Sequence, residues 1–141
     1  MTLFEYVDRI KNKRIGVIGI GVSNMPLIEL LVDQGCNVTA CDRRNLEQMG
    51  PDGQHLLEMG VKLKLGDDYL EGLDFDLIFR APSLMPFEMH LKEAASKGAI
   101  ITSEMEVFMS LCPCRTIAVT GSDGKTTTSS IIAELLDAAG Y

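Results

Sequence analysis

Apolar and polar positions along this chain repeat with two periods, and the periods alternate. Leu3, Phe4, Val7 and Ile10 share one face at helical spacing, which predicts a short amphipathic helix over Thr2–Ile10. Thr2 is placed to cap it, with Glu5 at the capping-box position. Arg14–Gly21 then reads as a buried strand running into a glycine turn. Ser23 or Asn24 is expected to cap the next helix, with Pro26 in its first turn, where no N–H partner is lost. That helix carries Met25, Leu27, Ile28, Leu30, Leu31 and Val32 and stops at Gly35. Asn37–Asp42 reads as the second strand. The stretch from Arg43 to Gly60 opens polar and turns helical around Gly53–Met59. Val61–Leu65 alternates, as a short strand with one wet face does, and Phe75–Arg80 reads as the fourth strand. A helix is expected over Pro86–Ala95, ending near Gly98, then a strand over Ala99–Thr102. Glu104–Leu111 is expected to be helical, with Val107, Phe108 and Leu111 on one face. Thr116–Val119 reads as a buried strand, and Ser130–Ala139 repeats Ile131, Ile132, Leu135, Leu136 and Ala139 at helical spacing.

Strands and helices in alternation, with strands apolar on both faces, imply an α/β fold. The expectation is a Rossmann-like, mostly parallel sheet with helices on both faces. Cys112-Pro113-Cys114 is the expected boundary. Residues 1–112 would form a whole nucleotide-binding domain, and residues 113–141 the first strand–phosphate-loop–helix unit of a second α/β domain. A single strand and helix cannot make a sheet, so Tyr141 reads as a truncation point.

Charge narrows the partners. The chain of 141 residues has a net charge of −7 and no basic stripe, which argues against nucleic acid. No apolar run is long enough to span a bilayer and the N-terminus lacks a leader's charge order, so a cytoplasmic protein with no membrane partner is expected. Cys36 and Cys41 lie at or in a strand and read as small hydrophobes. Cys112 and Cys114 are spaced too closely for a common zinc knuckle and have no second pair nearby.

Two turns carry candidate chemistry. In the first, Gly121-Ser122-Asp123-Gly124-Lys125-Thr126-Thr127 joins an apolar run to a helix. N–H groups of a first helical turn and the helix dipole attract anions, and glycines let the backbone curl around phosphate oxygens. Lys125 would lie against the β- and γ-phosphates of a nucleotide, and the Thr126 hydroxyl would ligate Mg²⁺. The usual phosphate-loop pattern has a further glycine where Val119 stands. In the second turn, Gly19-Ile20-Gly21-Val22-Ser23 holds the first two glycines of the dinucleotide fingerprint, with Asn24 in place of the third. Asp42, at the end of the second strand, stands where such enzymes place a ribose-binding acid. The turn either holds a nucleotide's diphosphate, with Asp42 accepting from its sugar or base, or is only the tight connection the fold requires. Arg43 and Arg44 favour an anionic ligand. Ligands of open α/β sheets lie outside the strands' carboxyl ends, so Gly21, Asp42 and Ala81-Pro82 should meet in one crevice.

With these residues in place the chain resembles the Mur ligases, the ATP-dependent amide-forming enzymes of peptidoglycan precursor synthesis, and most of all their D-glutamate-adding branch. The phosphate loop Thr120–Thr127 matches the family's short form, which also lacks the early glycine. Gly19–Ser23 with Asp42-Arg43-Arg44 resembles that branch's uridine-diphosphate site, and Ala81-Pro82-Ser83 and Glu104–Phe108 resemble later landmarks. The resemblance covers essentially the whole chain, which would be about the first third of such a ligase. It implies that the first domain binds the UDP end of UDP-N-acetylmuramoyl-L-alanine and that Gly121–Thr127 binds Mg-ATP. It also implies that the substrate carboxylate becomes an acyl phosphate, which D-glutamate captures. The remaining catalytic groups would lie past Tyr141, so the fragment alone is expected to turn over nothing. Asn24 and Asp123 depart from the family's usual glycine and asparagine. The competing readings are a different Mur-type amino-acid ligase, and a dinucleotide-binding or nucleotide-sensing domain without catalysis.

Overall fold

Five of the apolar runs pair side by side into one parallel sheet. In the computed structural model, which describes residues 1–141, the elements run α1 (Leu3–Ile10), β1 (Arg14–Ile18), α2 (Asn24–Asp33), β2 (Asn37–Asp42), α3 (Leu46–Met49), α4 (Pro51–Glu58), β3 (Lys62–Leu65), β4 (Leu77–Arg80), α5 (Met89–Ser96), β5 (Ile100–Thr102), α6 (Glu104–Leu111) and α7 (Lys125–Ala138). The strand order is β3-β2-β1-β4-β5, every neighbour pair parallel. The chain winds outward from β1 to β3 and then returns to the other side of β1, so the order reverses between β1 and β4. That reversal is the topological switch point at which open α/β sheets bind ligands.

Each central strand is buried on both faces, and alternate residues feed two cores. Ile15 and Val17 of β1, Val38 and Ala40 of β2, and Leu77 and Phe79 of β4 face a core built with Val7, Ile10, Ile28, Leu31 and Leu56 from α1, α2 and α4. Ile18, Cys41 and Ile78 face the other way, onto Leu91 and Ala94 of α5 and Leu73 of the β3–β4 connection. Cys41 is wholly buried, and its surroundings push its thiol up to about 11, so it stays an inert apolar group. The chain divides into two compact units, Met1–Leu111 and Cys112–Tyr141. The sheet belongs to the first.

The helix α1 has the expected capping box: Thr2 Oγ1 accepts from the Glu5 N–H and the Glu5 carboxylate accepts from the Thr2 N–H. Four expectations are corrected. Ser23 occupies the N-cap of α2 but is itself αR and makes no side-chain cap bond, and Asn24 is the first helical residue. Between Arg43 and Gly60 there are two helices, not one; the first, α3, is a single turn closed by a capping box between Asn45 and Gln48, too short to show a period. Phe108 does not join the inner face of α6: it is exposed, and only Val107 packs on the core. Thr116–Val119 is not a strand, although α7 does begin at the glycine turn, at Lys125. Without a neighbouring strand to take its N–H and C=O groups, an apolar run has no ladder to join.

Candidate nucleotide-binding site

The end of β1 enters its turn through contacts that admit only glycine. Gly19 has φ +84°, and a Cβ built there would stand 2.7 Å from the Ala81 Cβ. The turn after β1 therefore lies directly against the turn after β4. The Ala81 N–H donates to the Ile18 carbonyl at 2.8 Å and fastens this junction, while on the other side the Gly19 N–H donates to the Cys41 carbonyl of β2 at 2.8 Å. Gly21 is different. A Cβ there meets nothing within 4 Å, and its φ lies outside the left-handed region. Its bare side opens onto a crevice of about 380 Å³ lined by Gly19–Asn24, Asp42 and Ala81–Ser83. In the turn before α2 the N–H groups of Gly21, Val22 and Ser23 meet no acceptor in the protein, while those of Asn24 and Met25 donate to the Gly21 carbonyl at 3.1 and 2.9 Å. A local excess of donors and the positive end of a helix dipole make this lip suited to an anion.

Asn24 explains how the turn manages without a third glycine. It is almost completely buried, and its Nδ2 donates to the Gly19 carbonyl at 2.7 Å and the Ile18 carbonyl at 3.3 Å. The side chain folds back to cap the end of β1, so helix and strand approach closely with a side chain between them. Its Oδ1, also buried, has no hydrogen-bond partner.

Asp42 and Arg44 clip the turn from behind. The Ile20 N–H donates to Asp42 Oδ2 at 2.7 Å, while Arg44 Nη2 donates to the Ile20 carbonyl. Arg44 also donates to both carboxylate oxygens: its N–H and Nε reach Oδ1 at 2.9 and 3.0 Å, and Nη2 reaches Oδ2 at 3.1 Å. Burial raises the Asp42 pKa, but these bonds from Arg44 and Ile20 more than offset it, and the carboxyl is held below its ordinary value. With four donors on two oxygens, the acceptor capacity of Asp42 is filled from within the protein. Arg43, one residue earlier, is exposed and faces a second lobe of about 330 Å³, which also touches Tyr69 and Leu84.

The structure thus brings together Gly19, Ile20, Gly21, Val22, Ser23, Asp42, Ala81 and Pro82 on the first lobe and Arg43 on the second; Arg44 lines neither and lies behind the turn. Sequence reasoning missed Tyr69. Its signal was its place just past β3, at the same carboxyl edge of the sheet as Asp42 and Ala81.

The second candidate turn lies in the unit Cys112–Tyr141. Gly121 and Gly124 have φ of +156° and +74°, and the 14-residue α7 begins at Lys125. Lys125 Nζ donates to the Gly121 carbonyl at 2.6 Å and the Ser122 carbonyl at 3.2 Å, which curls the loop around its ammonium. Thr126 and Thr127 follow in the exposed first turn, and Asp123 is exposed. An exposed cation, bare first-turn N–H groups and hydroxyls suit a phosphate. No group of three or more His, Cys, Asp or Glu side chains is placed to hold a metal ion.

No family model matches the chain. Curated relatives do. It is 45% identical over 141 residues to the UDP-N-acetylmuramoylalanine–D-glutamate ligase of Clostridium novyi (strain NT), a match covering 99% of this chain and 31% of the relative. It is 49% identical over 140 residues to the ligase of that name from Ruminiclostridium cellulolyticum, covering 99% and 30%. The chain is homologous to a portion of the UDP-N-acetylmuramoylalanine–D-glutamate ligases. It spans about three tenths of the length of these ligase relatives. Among solved structures, the dipicolinate synthase A chain from Bacillus subtilis superposes with a TM-score of 0.53 at 15% identity, over 91% of this chain and 46% of that one. That likeness concerns the fold alone, a Rossmann-type α/β sheet.

Proposed function

We propose that the chain supplies two nucleotide-binding elements of an ATP-dependent ligase that joins D-glutamate to UDP-N-acetylmuramoyl-L-alanine in peptidoglycan synthesis. In this reading the crevice at the ends of β1, β2 and β4 takes the UDP end of the substrate. The diphosphate rests on the N–H groups of Gly21–Ser23, and Gly21 lets it approach the backbone. Asp42 and Arg44 hold the turn in shape. The loop Gly121–Thr127 takes the triphosphate of ATP. The substrate carboxylate is a poor acyl donor until it takes the γ-phosphoryl group of ATP, with ADP leaving; the amine of D-glutamate then attacks the acyl phosphate and inorganic phosphate leaves as the amide forms. Lys125 moves from the loop carbonyls to the transferring phosphoryl group and neutralises its charge. Thr126 would hold a magnesium ion, which would supply further charge neutralisation. The work takes place in the cytoplasm, where nucleotide-linked substrates are made.

The observation that carries this reading is the open side of Gly21, set at the switch point beside three free N–H groups. The satisfied state of Asp42 corrects the acceptor role expected of it in both readings, toward the ribose of a dinucleotide and toward the sugar or base of a UDP substrate, and leaves it as a brace of the turn. Titration calorimetry on the 141-residue chain tests the choice. UDP-N-acetylmuramoyl-L-alanine should bind and NADH should not. Binding of NADH in preference would sink the proposal.

A further inference from the structure

The four cysteines are all free, but their surroundings divide them into two pairs. Cys36 lies in one core and Cys41 in the other, and burial pushes both thiols up. Away from solvent they serve as packing. Cys112 is half-buried and Cys114 exposed. Only Pro113 stands between them, and the chain bends at Cys114. Residues 112–114 belong to no helix or strand, and none of their backbone groups is bonded to one. A small backbone adjustment there disturbs no ladder. Two peptide steps span at most about 7 Å, and a disulfide needs Cα atoms about 4.4–6.8 Å apart. The two thiols are therefore within bridging reach, and no other element has to move. The ring of Pro113 already fixes one backbone angle between them, which lowers the entropy lost on closing a bridge.

We propose that Cys112 and Cys114 form a thiol-modification site that reacts with small-molecule disulfides and closes into a reversible intrachain bridge. The thiolate of the exposed Cys114 attacks one sulfur of a low-molecular-weight disulfide such as oxidised glutathione. A mixed disulfide forms and one glutathione thiolate leaves. The Cys112 thiolate then attacks the Cys114 sulfur, the Cys112–Cys114 bond forms, and the second glutathione leaves. Two protein thiols have lost two electrons, the small disulfide has gained them, and the two thiol protons pass to the departing thiolates. Exposure sets the order of attack: Cys114 meets the reagent and the half-buried Cys112 resolves the adduct. Arg115 follows the pair and no acid stands between Glu106 and Asp123, so an anionic disulfide meets no like charge along this stretch. A ring closed over three residues is strained and exposed, and such bridges are readily reduced again. In a reducing compartment the pair rests as two thiols and closes when oxidised small thiols accumulate. The pair opens the unit Cys112–Tyr141 and lines neither lobe of the crevice, so the proposal does not rest on the nucleotide reading.

The test incubates the 141-residue chain at rising ratios of oxidised to reduced glutathione, then alkylates it with iodoacetamide in denaturant and maps the peptides by mass. Cys112 and Cys114 should lose their labels together, in one peptide lighter by two hydrogens, and dithiothreitol should restore both. Cys36 and Cys41 should be labelled in full at every ratio, because burial keeps the reagent from them. Cys112→Ser should leave Cys114 carrying one glutathione, since no second thiol is there to displace it. Cys114→Ser should react several-fold more slowly, through the half-buried Cys112. Both changes fall in irregular chain, and unaltered circular dichroism of the two variants keeps the comparison one of thiol chemistry. A wild-type chain that ends as a glutathione adduct, that cross-links into disulfide dimers, or that keeps both labels at every ratio overturns the proposal. No nucleotide enters the measurement, so any of these results leaves the nucleotide reading standing.

Discussion

Adding one methyl group at Gly19 and one at Gly21 separates what the fold needs from what a ligand needs. At Gly19 the backbone sits at φ +84°, where an L side chain costs roughly 1–2 kcal/mol. The new Cβ would also stand 2.7 Å from the Ala81 Cβ, an overlap worth about 1–3 kcal/mol. Against this, alanine restricts the unfolded chain and returns ~0.4–1 kcal/mol. The net loss for Gly19→Ala is near ~3 kcal/mol, a large part of the ~5–15 kcal/mol that holds a typical domain folded. With a urea slope of ~2 kcal/mol/M, the unfolding midpoint should fall by ~1.5 M. At Gly21 the methyl group meets nothing within 4 Å and φ is not left-handed, so Gly21→Ala should stay within ~0.5 kcal/mol of wild type. The same methyl group fills the space where a diphosphate would approach, so UDP affinity should drop although stability does not. Urea denaturation followed by circular dichroism, with UDP titrations on each variant, measures both. The double variant Gly19→Ala/Ala81→Gly should recover the overlap and leave the backbone strain. Equal stability of Gly19→Ala and Gly21→Ala would refute the packing argument, and unaltered UDP binding by Gly21→Ala would refute the cradle.

Asn24→Ala should cost about 1–3 kcal/mol, because it strands the Gly19 carbonyl; the Ile18 carbonyl keeps its bond from the Ala81 N–H. Asn24→Asp should cost more than Asn24→Ala, since it turns a carboxylate oxygen toward that carbonyl; thermal melts that rank the two the other way would contradict the cap assigned to Asn24. A second expectation concerns acid. Hydrogen bonds from the Arg14 side chain and backbone N–H, together with its charge, hold Asp76 at about 2. Because that value lies below the ordinary one, near 4, the pair's contribution is present above pH ~4 and lost as pH falls through ~2. Asp76→Asn should therefore flatten the fall of Tm between pH ~4 and ~2, with a residual slope from Asp42, whose shift has the same sign.

How far the chain could be understood before folding it depends on where each signal lives. Periods of two and 3.6 residues are local, so α1 with its capping box and the strands β1, β2 and β4 were legible, and with them the parallel sheet: strands apolar on both faces have to be covered on both. Glycine spacing is local too, and both turns declared themselves in the order of residues. Three things were not local. A strand exists only with a neighbour, so Thr116–Val119 looked like one and is none. Which of two adjacent arginines is tied down depends on the Ile20 carbonyl, 24 residues before Arg44: with Asp42 beside it, it enlists Arg44 and leaves Arg43 on the crevice wall. Tyr69 lines the crevice only because β3 is parallel to β2, which brings the residues past its end to the edge where Asp42 already lies. Residue order sets what each segment can form alone, whereas strand pairing decides which side chains meet, because a ladder joins residues far apart in the chain.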